Sequence, residues 1–286
     1  MINNKYEIIE QIGIGAFGNI YKGRNIRTNE MVAIKMEEII HDVRLLKNES
    51  RLYYYLNKCE GIPKIKWYGI CGDYYCMVME LLGESLETLK SMNRDERFSL
   101  KLTLTIGIKI INIIQTLHNK FIIHRDIKPD NLLISNIHNT HINVLSLTPE
   151  DTNKTRANIY IIDLGFSKKF INDDDTHIIM KPIHKLIGTP NFASINSHNL
   201  CELSRRDDLE SIAYTLIYLY YGKLPWQNLK INTNNEIKLS KVLFQENIKK
   251  IKNNVLYDFL LYSINLNFNE TPDYNKIINL FSIDNI

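Results

Sequence analysis

The period of the hydrophobic pattern changes along this chain, and this change constrains the fold more than any other feature of the sequence. The first 80 residues contain short runs rich in β-branched and aromatic side chains, which are typical of strands. These runs are residues 6–11, 19–24, 31–36 and 74–80. Between them, residues 42–56 carry Leu45, Leu52 and Leu56 at helical spacing. The N-terminal part therefore predicts a β-rich unit that contains one helix.

Helical periodicity dominates from Ser85 onward. The long amphipathic patterns are residues 100–119, residues 206–221 and further stretches beyond Ile237. The sequence therefore predicts one α+β domain with two lobes, a small β-rich N-lobe at about residues 1–82 and a larger helical C-lobe at about residues 83–286. The two lobes are expected to join near residues 80–83.

The composition excludes several classes of protein. Of the 286 residues, 44% are hydrophobic and 23% are charged, which leaves enough apolar side chains for a large core. A net charge of +3 is too small to predict a nucleic-acid-binding protein. The most apolar stretches, residues 102–117 and 209–221, are shorter than a membrane span. The four cysteines have neither disulfide-framework nor zinc-site spacing, so we expect a reduced, intracellular setting.

The N-terminus lacks the apolar run of a signal peptide. We therefore expect a monomeric cytoplasmic protein, neither secreted nor bound to a membrane, with entry into the nucleus left open. Ile, Asn and Lys are unusually frequent, which indicates an AT-rich genome. Both a parasite and a large DNA virus fit that composition.

The most informative motif is residues 124–131, which read His-Arg-Asp-Ile-Lys-Pro-Asp-Asn. A carboxylate, an ammonium group and an amide at this spacing suit phosphoryl transfer from a metal-bound nucleotide. Asp126 can accept the proton of a Ser or Thr hydroxyl, Lys128 can neutralise charge on the transferred group, and Asn131 can hold a metal ion. The segment resembles the protein-kinase catalytic loop, because it matches H-R-D-x-x-x-x-N at every fixed position.

A glycine-rich segment lies near the N-terminus, where residues 13–18 follow the pattern G-x-G-x-x-G. In a dinucleotide site the last glycine opens a helix, whereas here residues 19–22 continue as a strand. The segment therefore predicts a hairpin whose backbone N–H groups lie over phosphates. Phe17 at its tip is expected to shield those phosphates from water.

The segment Val-Ala-Ile-Lys at residues 32–35 matches the kinase strand whose lysine reaches the α- and β-phosphates. Lys35 needs a carboxylate to fix its position. Glu49 is the expected partner, because it falls at the helix position that the resemblance assigns to this role. Glu37 and Glu38 follow the strand directly and are expected to face solvent.

Asp163 follows the apolar run at residues 159–162 and occupies the place of the kinase D-F-G aspartate, with Leu164 in place of the phenylalanine. The resemblance implies that Asp163 and Asn131 hold the metal that bridges the phosphates. Since Leu164 keeps the hydrophobic volume, the metal chemistry is expected to be unaffected.

An adenine pocket is expected where the two lobes join. Met79 ends the strand before the joint and is expected at the back of the pocket, while Glu80 and Leu82 are placed to offer backbone hydrogen bonds to the adenine edge. The residues that the resemblance assigns to nucleotide binding are Ile12, Gly13, Gly15, Phe17, Gly18, Ile20, Ala33, Lys35, Met79, Glu80, Leu82, Leu133, Ile162 and Asp163.

The usual kinase A-P-E is absent, and Ser-Ile-Asn stands in its place at residues 194–196. Together with Ser-Arg-Arg-Asp-Asp-Leu-Glu-Ser at residues 204–211, this segment resembles the casein kinase I family, and the resemblance covers residues 6–281. It implies a constitutively active Ser/Thr kinase that uses ATP and Mg²⁺ and prefers protein substrates with acidic or phosphorylated sites.

The resemblance also implies roles for two residues outside the catalytic loop. Thr189 lines the substrate groove near Asp126 and Lys128, with a regulatory phosphorylation site as the alternative interpretation. Asp208 is a buried carboxylate that braces the catalytic loop. The expected catalytic set is Asp126, Lys128, Asn131, Lys35, Glu49 and Thr189.

Members of this family bind acidic substrates through basic residues near the activation segment. Arg205 and Arg206 match that site, and Lys181 and Lys185 lie in the segment itself. Lys238 is the one lysine that remains as a phosphate contact where the family has a lysine-rich stretch. A solvated basic face is the alternative, in which Asp207 or Asp208 pairs with one of the arginines. Residues 232–238 lack the family's lysine-rich stretch, so we expect a weaker preference for phosphorylated substrates.

Two functions remain open. The first is an active Ser/Thr kinase, and the alternative is a pseudokinase or scaffold that binds protein partners without phosphoryl transfer. The groups that a degenerate scaffold tends to lose are all present, which favours activity. These groups are Lys35, Glu49, Asp126, Asn131 and Asp163. The polar residues 135–158 are expected to form a solvated insertion in a hairpin.

Overall fold

A five-stranded antiparallel sheet forms the N-terminal part of the computed structural model, which describes residues 1–15, 18–39, 45–135, 158–227, 233–251 and 253–282. The strands are β1 (Tyr6–Gly15), β2 (Gly18–Asn25), β3 (Met31–Glu38), β4 (Ile65–Cys71) and β5 (Tyr74–Glu80). Their order in the sheet is β1-β2-β3-β5-β4, and the helix α1 (Leu45–Tyr55) lies between β3 and β4 in the chain.

The edge strand β4 was not predicted from the sequence. Six of its seven residues are half-buried, so it shows neither a clear alternation nor a continuous buried run. Its pairing with β5 is also interrupted by a register shift between Ile65 and Trp67. An edge strand of this kind gives a weak periodic signal. The other four strands lie where the pattern placed them.

The C-terminal part is predominantly helical, which confirms the predicted α+β fold class. Its helices are α2 (Leu86–Ser91), α3 (Leu100–Asn119), α4 (Ile195–His198), α5 (Arg205–Tyr221), α6 (Asn234–Ile248), α7 (Val255–Ile264) and α8 (Tyr274–Phe281). Two small antiparallel pairs complete this part of the described chain. They are β6 (Ile122–Ile123) with β9 (Lys168–Lys169), and β7 (Leu132–Ile134) with β8 (Ile159–Ile161).

The central helix of this part is α3. Ser99 caps it by accepting a hydrogen bond from the N–H of Leu102. By length and mean hydropathy (1.4) α3 could cross a membrane, but 56% of its most apolar 18-residue stretch is buried inside the protein. The helix packs there against α5 and α8. Gly107 allows this close packing, because a Cβ there would lie 3.0 Å from Leu216 and Phe281. Each buried isoleucine of α3 contributes about 1.5–3 kcal/mol.

The connection between the two parts is paired with β7. After β5 ends, Gly83 donates to the carbonyl of Ile134 at 2.9 Å, and Ile134 donates to the carbonyl of Glu84 at 3.0 Å. The hairpin predicted around the polar insertion is present at its base, where Ser135 donates to Asn158 at 2.8 Å. Residues 136–157 of that insertion lie outside the described residues. The connection and the hairpin thus bring the start of α2 beside the catalytic loop.

Candidate active site

Three charged side chains meet between β3, α1 and the turn after β8. The Nζ atom of Lys35 lies 2.7 Å from Glu49 Oε2 and 3.0 Å from Asp163 Oδ1. Burial lowers the pKa of Lys35, but the two carboxylates outweigh burial and leave that pKa above its ordinary value. Burial raises the pKa of Glu49 to about 7, although the positive charge of Lys35 opposes this rise. The lysine is therefore a charged group held in a fixed position.

The prediction that Glu37 faces solvent is wrong. Its side chain is partly buried, and Oε2 accepts a hydrogen bond from the N–H of Leu46 at 2.8 Å. This contact satisfies one of the open N–H groups in the first turn of α1. Glu37 thus helps to place the helix that carries Glu49, while Glu38 is exposed as expected.

Asp163 sits in the left-handed backbone region, with φ at +64°. Its N–H donates to the hydroxyl of Tyr53 at 3.1 Å, and Tyr53 is buried on α1, one turn after Glu49. The sequence indicated no role for Tyr53 at the site, although its spacing from Glu49 places both residues on one helix face. Leu164 is fully buried in the main core, so it fills the space expected for a larger side chain.

The catalytic loop is braced by Asp208 in the first turn of α5. Its carboxylate accepts hydrogen bonds from the backbone N–H groups of His124 and Arg125, each at 2.8 Å. The same carboxylate lies 3.0 Å from His118 Nε2, and His118 Nδ1 lies 2.6 Å from the hydroxyl of Tyr274. Burial raises the pKa of Asp208, but these partners outweigh it and leave the pKa below its ordinary value. The brace extends to α8, which the sequence did not indicate.

Asp126 is surrounded by the groups that the sequence assigned to catalysis. Its Oδ1 accepts both the N–H and the hydroxyl of Thr189, each at 2.7 Å. Lys128 Nζ donates to that hydroxyl at 2.9 Å, and Asn131 Nδ2 donates to the backbone carbonyl of Asp126 at 2.9 Å. Gly188 permits this approach, because its φ is +90° and a Cβ would lie 2.5 Å from the carbonyl of Arg125.

Two oxygen groups suit a magnesium ion. Because Asn131 Nδ2 donates to Asp126, its amide oxygen remains for a metal. The carbonyl of Asn131 accepts the N–H of Ile162 at 3.0 Å, which places it beside Asp163. Among the described residues, no group of three His, Cys, Asp or Glu side chains could hold a metal. One carboxylate and one amide fit Mg²⁺, which takes its other ligands from phosphates and water.

The predicted nucleotide-site residues of the N-terminal sheet lie on β1, β2, β3 and β5. Ile20 pairs with Lys35, and Ala33, two residues before Lys35 on the same face of β3, pairs with Met79. Gly13 pairs with Ile20 and Gly15 pairs with Gly18, which closes the glycine hairpin. Ile12 lies at a register shift of β1. Phe17 lies outside the described residues.

The remaining nucleotide-site residues lie along the connection and the C-terminal part. Glu80 donates its N–H to the carbonyl of Lys64 at 3.0 Å, so only its carbonyl can face an adenine. Leu82 is half-buried in the connection after β5. Leu133 lies in β7, and Ile162 follows β8 directly.

Arg205 and Arg206, two of the residues predicted to bind an anion, contact other parts of the chain, and the anion site stays a prediction. Arg205 donates to the carbonyl of Asn269 at 2.7 Å and stacks over Phe170, and Arg206 donates to the carbonyl of Leu266 at 3.0 Å. Arg206 Nε also lies 4.0 Å from Asp207 Oδ2, as the alternative interpretation proposed. Lys181 and Lys185 are exposed, and Lys238 is half-buried on α6.

One charged cluster was missed by sequence reasoning. Glu202 is 2% exposed, and its carboxylate lies 2.7 Å from Lys168 Nζ and 3.9 Å from Arg125 Nη1. Arg125 Nε also donates to the carbonyl of Phe166 at 2.6 Å. No periodicity or motif relates Glu202 to residues so far from it in the sequence. The cluster ties the catalytic loop to the segment that follows Asp163.

A comparison with known families agrees with this geometry. A family model described as Protein kinase domain matches residues 6–275. The matched range includes Lys35 and Asp126 and the residues that contact them, Glu49, Asp163, Lys128, Asn131 and Thr189. The chain therefore belongs to the protein kinase domain family, whose members generally use ATP and Mg²⁺ for phosphoryl transfer.

Proposed function

We propose that this protein kinase transfers the γ-phosphate of ATP to Ser and Thr hydroxyls of protein substrates. The observation that carries the proposal is the contact of Thr189 with both Asp126 and Lys128. It brings the backbone of residues 188–189 close to the catalytic carboxylate, so a peptide lying along this backbone reaches Asp126 with a short side chain. A tyrosyl side chain would extend its hydroxyl well beyond that point.

The reaction needs one proton transfer and one displacement. As the substrate oxygen forms a bond to the γ-phosphorus, the bond to ADP breaks and the hydroxyl proton passes to Asp126. Lys128 stabilises charge on the transferred phosphoryl group, and Lys35 orients the remaining phosphates. Asn131 and Asp163 would hold Mg²⁺, which neutralises charge on the phosphates when bound.

The casein kinase I-like assignment is supported by contacts between the two segments that carry the resemblance. Ser194 and Asn196 donate to Asp207 Oδ1 at 2.7 and 2.9 Å. The preference for acidic or phosphorylated substrates rests on the exposed lysines Lys181 and Lys185. Since both arginines are engaged elsewhere, we expect this preference to be modest.

The test is transfer of labelled phosphate from ATP to casein by the wild type and by Asp126→Asn. The variant should lose orders of magnitude in kcat while it still binds nucleotide. Asp130→Asn is the matched control, because Asp130 is exposed in the same loop and should label casein like the wild type. Equal background labelling by all three proteins would instead support the scaffold alternative. Acid hydrolysis of labelled casein should yield phosphoserine and phosphothreonine, and phosphotyrosine alone would contradict the proposed specificity.

A further inference from the structure

A lysine with no exposed surface lies beneath the backbone that follows Thr189. Lys241 on α6 donates through Nζ to the carbonyls of Pro190 at 2.8 Å and Ala193 at 2.5 Å. We call residues 189–193 the substrate strip, because this backbone begins at the Thr189–Asp126 contact. The ammonium group therefore holds two backbone carbonyls of the strip.

Two aromatic rings and a carboxylate near Lys241 offset part of the cost of burying its charge. Its Nζ lies 4.7 Å from the ring centroid of Tyr214 and 5.2 Å from that of Trp226. Glu210 supplies a negative charge nearby and accepts the hydroxyl of Tyr214 at 2.7 Å. Burial lowers the pKa of Lys241 to about 7, and the charge of Glu210 opposes this shift. A lysine buried in this way is costly unless its contacts compensate for lost hydration.

The same strip has a second, independent anchor. Trp226 donates its indole N–H to the carbonyl of Asn191 at 2.9 Å. Lys241 and Trp226 thus donate to three carbonyls of the strip, and His198 Nε2 also lies 3.0 Å from one of them, that of Pro190. Asp126 and Lys128 hold Thr189 at the start of the strip. Without Lys241 and Trp226, the carbonyls of Asn191 and Ala193 would lose their side-chain donors, and the strip would be held less firmly.

We propose that Lys241 is a positioning residue for the protein substrate, because it fixes the strip that carries Thr189 against the catalytic carboxylate. This inference rests on the proposed function. A small displacement of a positioning group reduces the rate strongly, since the reacting atoms must be aligned. The nucleotide-binding groups Lys35, Glu49 and Asp163 lie on other elements, so nucleotide affinity should be independent of Lys241.

The test separates peptide parameters from nucleotide parameters. Lys241→Met removes the charge and the donors but keeps an unbranched side chain, and we expect the peptide KM to rise about tenfold or more. The KM for ATP should stay within about twofold, because only the peptide strip is displaced. Lys241→Arg should recover part of the loss, since arginine retains positive charge and donors. Lys249→Met is the matched control, because Lys249 is exposed at the end of the same helix.

Trp226→Phe provides a second variant in case Lys241→Met does not fold. It removes one donor to the strip and keeps an aromatic ring, so it should also raise the peptide KM and leave the KM for ATP unchanged. The concentration of folded enzyme is measured by nucleotide-site titration in every case. A peptide KM and kcat equal to the wild type in either folded variant would contradict the inference, as would equal losses in the peptide and ATP parameters. A wild type without Asp126-dependent transfer would contradict the proposed function and the inference with it.

Discussion

Thr189 donates both its backbone N–H and its hydroxyl to one oxygen of Asp126, each at 2.7 Å. The hydroxyl also accepts a hydrogen bond from Lys128, so it fixes the position of the Lys128 ammonium group relative to the Asp126 carboxylate. Thr189→Val keeps the shape and the N–H but removes this link. We expect kcat to fall by about tenfold to a hundredfold, as for the loss of a hydrogen bond to a charged group. Thr189→Ser should retain most activity, and an active Thr189→Val enzyme would show that the link is dispensable.

The brace of the catalytic loop should be needed for both stability and turnover. His118→Phe removes one donor from Asp208 and one partner from Tyr274, and both groups stay buried. We expect the free energy of unfolding to fall by about 1–3 kcal/mol and kcat to fall while the KM for ATP is unchanged. Urea unfolding and steady-state kinetics measure these changes. His184→Ala is the control, because His184 is exposed and its replacement should leave both values as they are.

The charge of Glu202 should make phosphorylation of the activation segment unnecessary. In many kinases a phosphate on that segment pairs with basic side chains and orders it. Here the carboxylate of Glu202 already pairs with Lys168 and faces Arg125. We expect phosphatase-treated enzyme to keep its kcat, and Glu202→Gln to reduce kcat by about tenfold, since it leaves buried positive charge less compensated. Glu246→Gln is the control, because Glu246 also pairs with a lysine, Lys249, but both side chains of that pair are exposed. Loss of activity after phosphatase treatment would contradict this account.

The fold and the centre of the site could be predicted from the sequence, because both follow from local patterns. Periodicity placed four of the five strands of the sheet, and the motifs placed Lys35 in a strand and Asp126 and Asp163 in the loops that follow strands. Contacts between distant segments could not be predicted in this way. Glu202 and Lys241 reach their partners only through tertiary packing, and each would pass for a surface residue in the sequence.

The contacts of the two arginines of α5 could not be predicted from the sequence either. A basic pair beside two aspartates matched a family motif, and the sequence could not show which way each side chain points. Both guanidinium groups donate to carbonyls of residues 266–269, and each also lies over an aromatic ring, Arg205 over Phe170 and Arg206 over Phe268. Arginine packs readily against aromatic faces, so a motif of charges does not by itself define an open binding site.

His198 should make the stability of the protein depend on pH. Burial, followed by the charge of Lys241, lowers the pKa of His198 to about 4, compared with about 6.5 in an unfolded chain. Between these values the unfolded chain binds a proton that the native protein does not. The contribution of His198 to stability is therefore fully present above about pH 6.5 and is lost as the pH falls towards 4.

The variant His198→Gln isolates this contribution, because glutamine does not titrate and can still donate to the carbonyl of Pro190, which His198 Nε2 contacts at 3.0 Å. Between pH 6.5 and 4.5 we expect the free energy of unfolding of the wild type to fall on the order of 1 kcal/mol more than that of the variant. This value is smaller than the full pKa shift would give, because the imidazole ring is partly exposed to solvent. Urea unfolding of both proteins at several pH values measures the difference. A constant difference across that range would show that His198 titrates as in an unfolded chain, because only a shifted pKa links its protonation to folding.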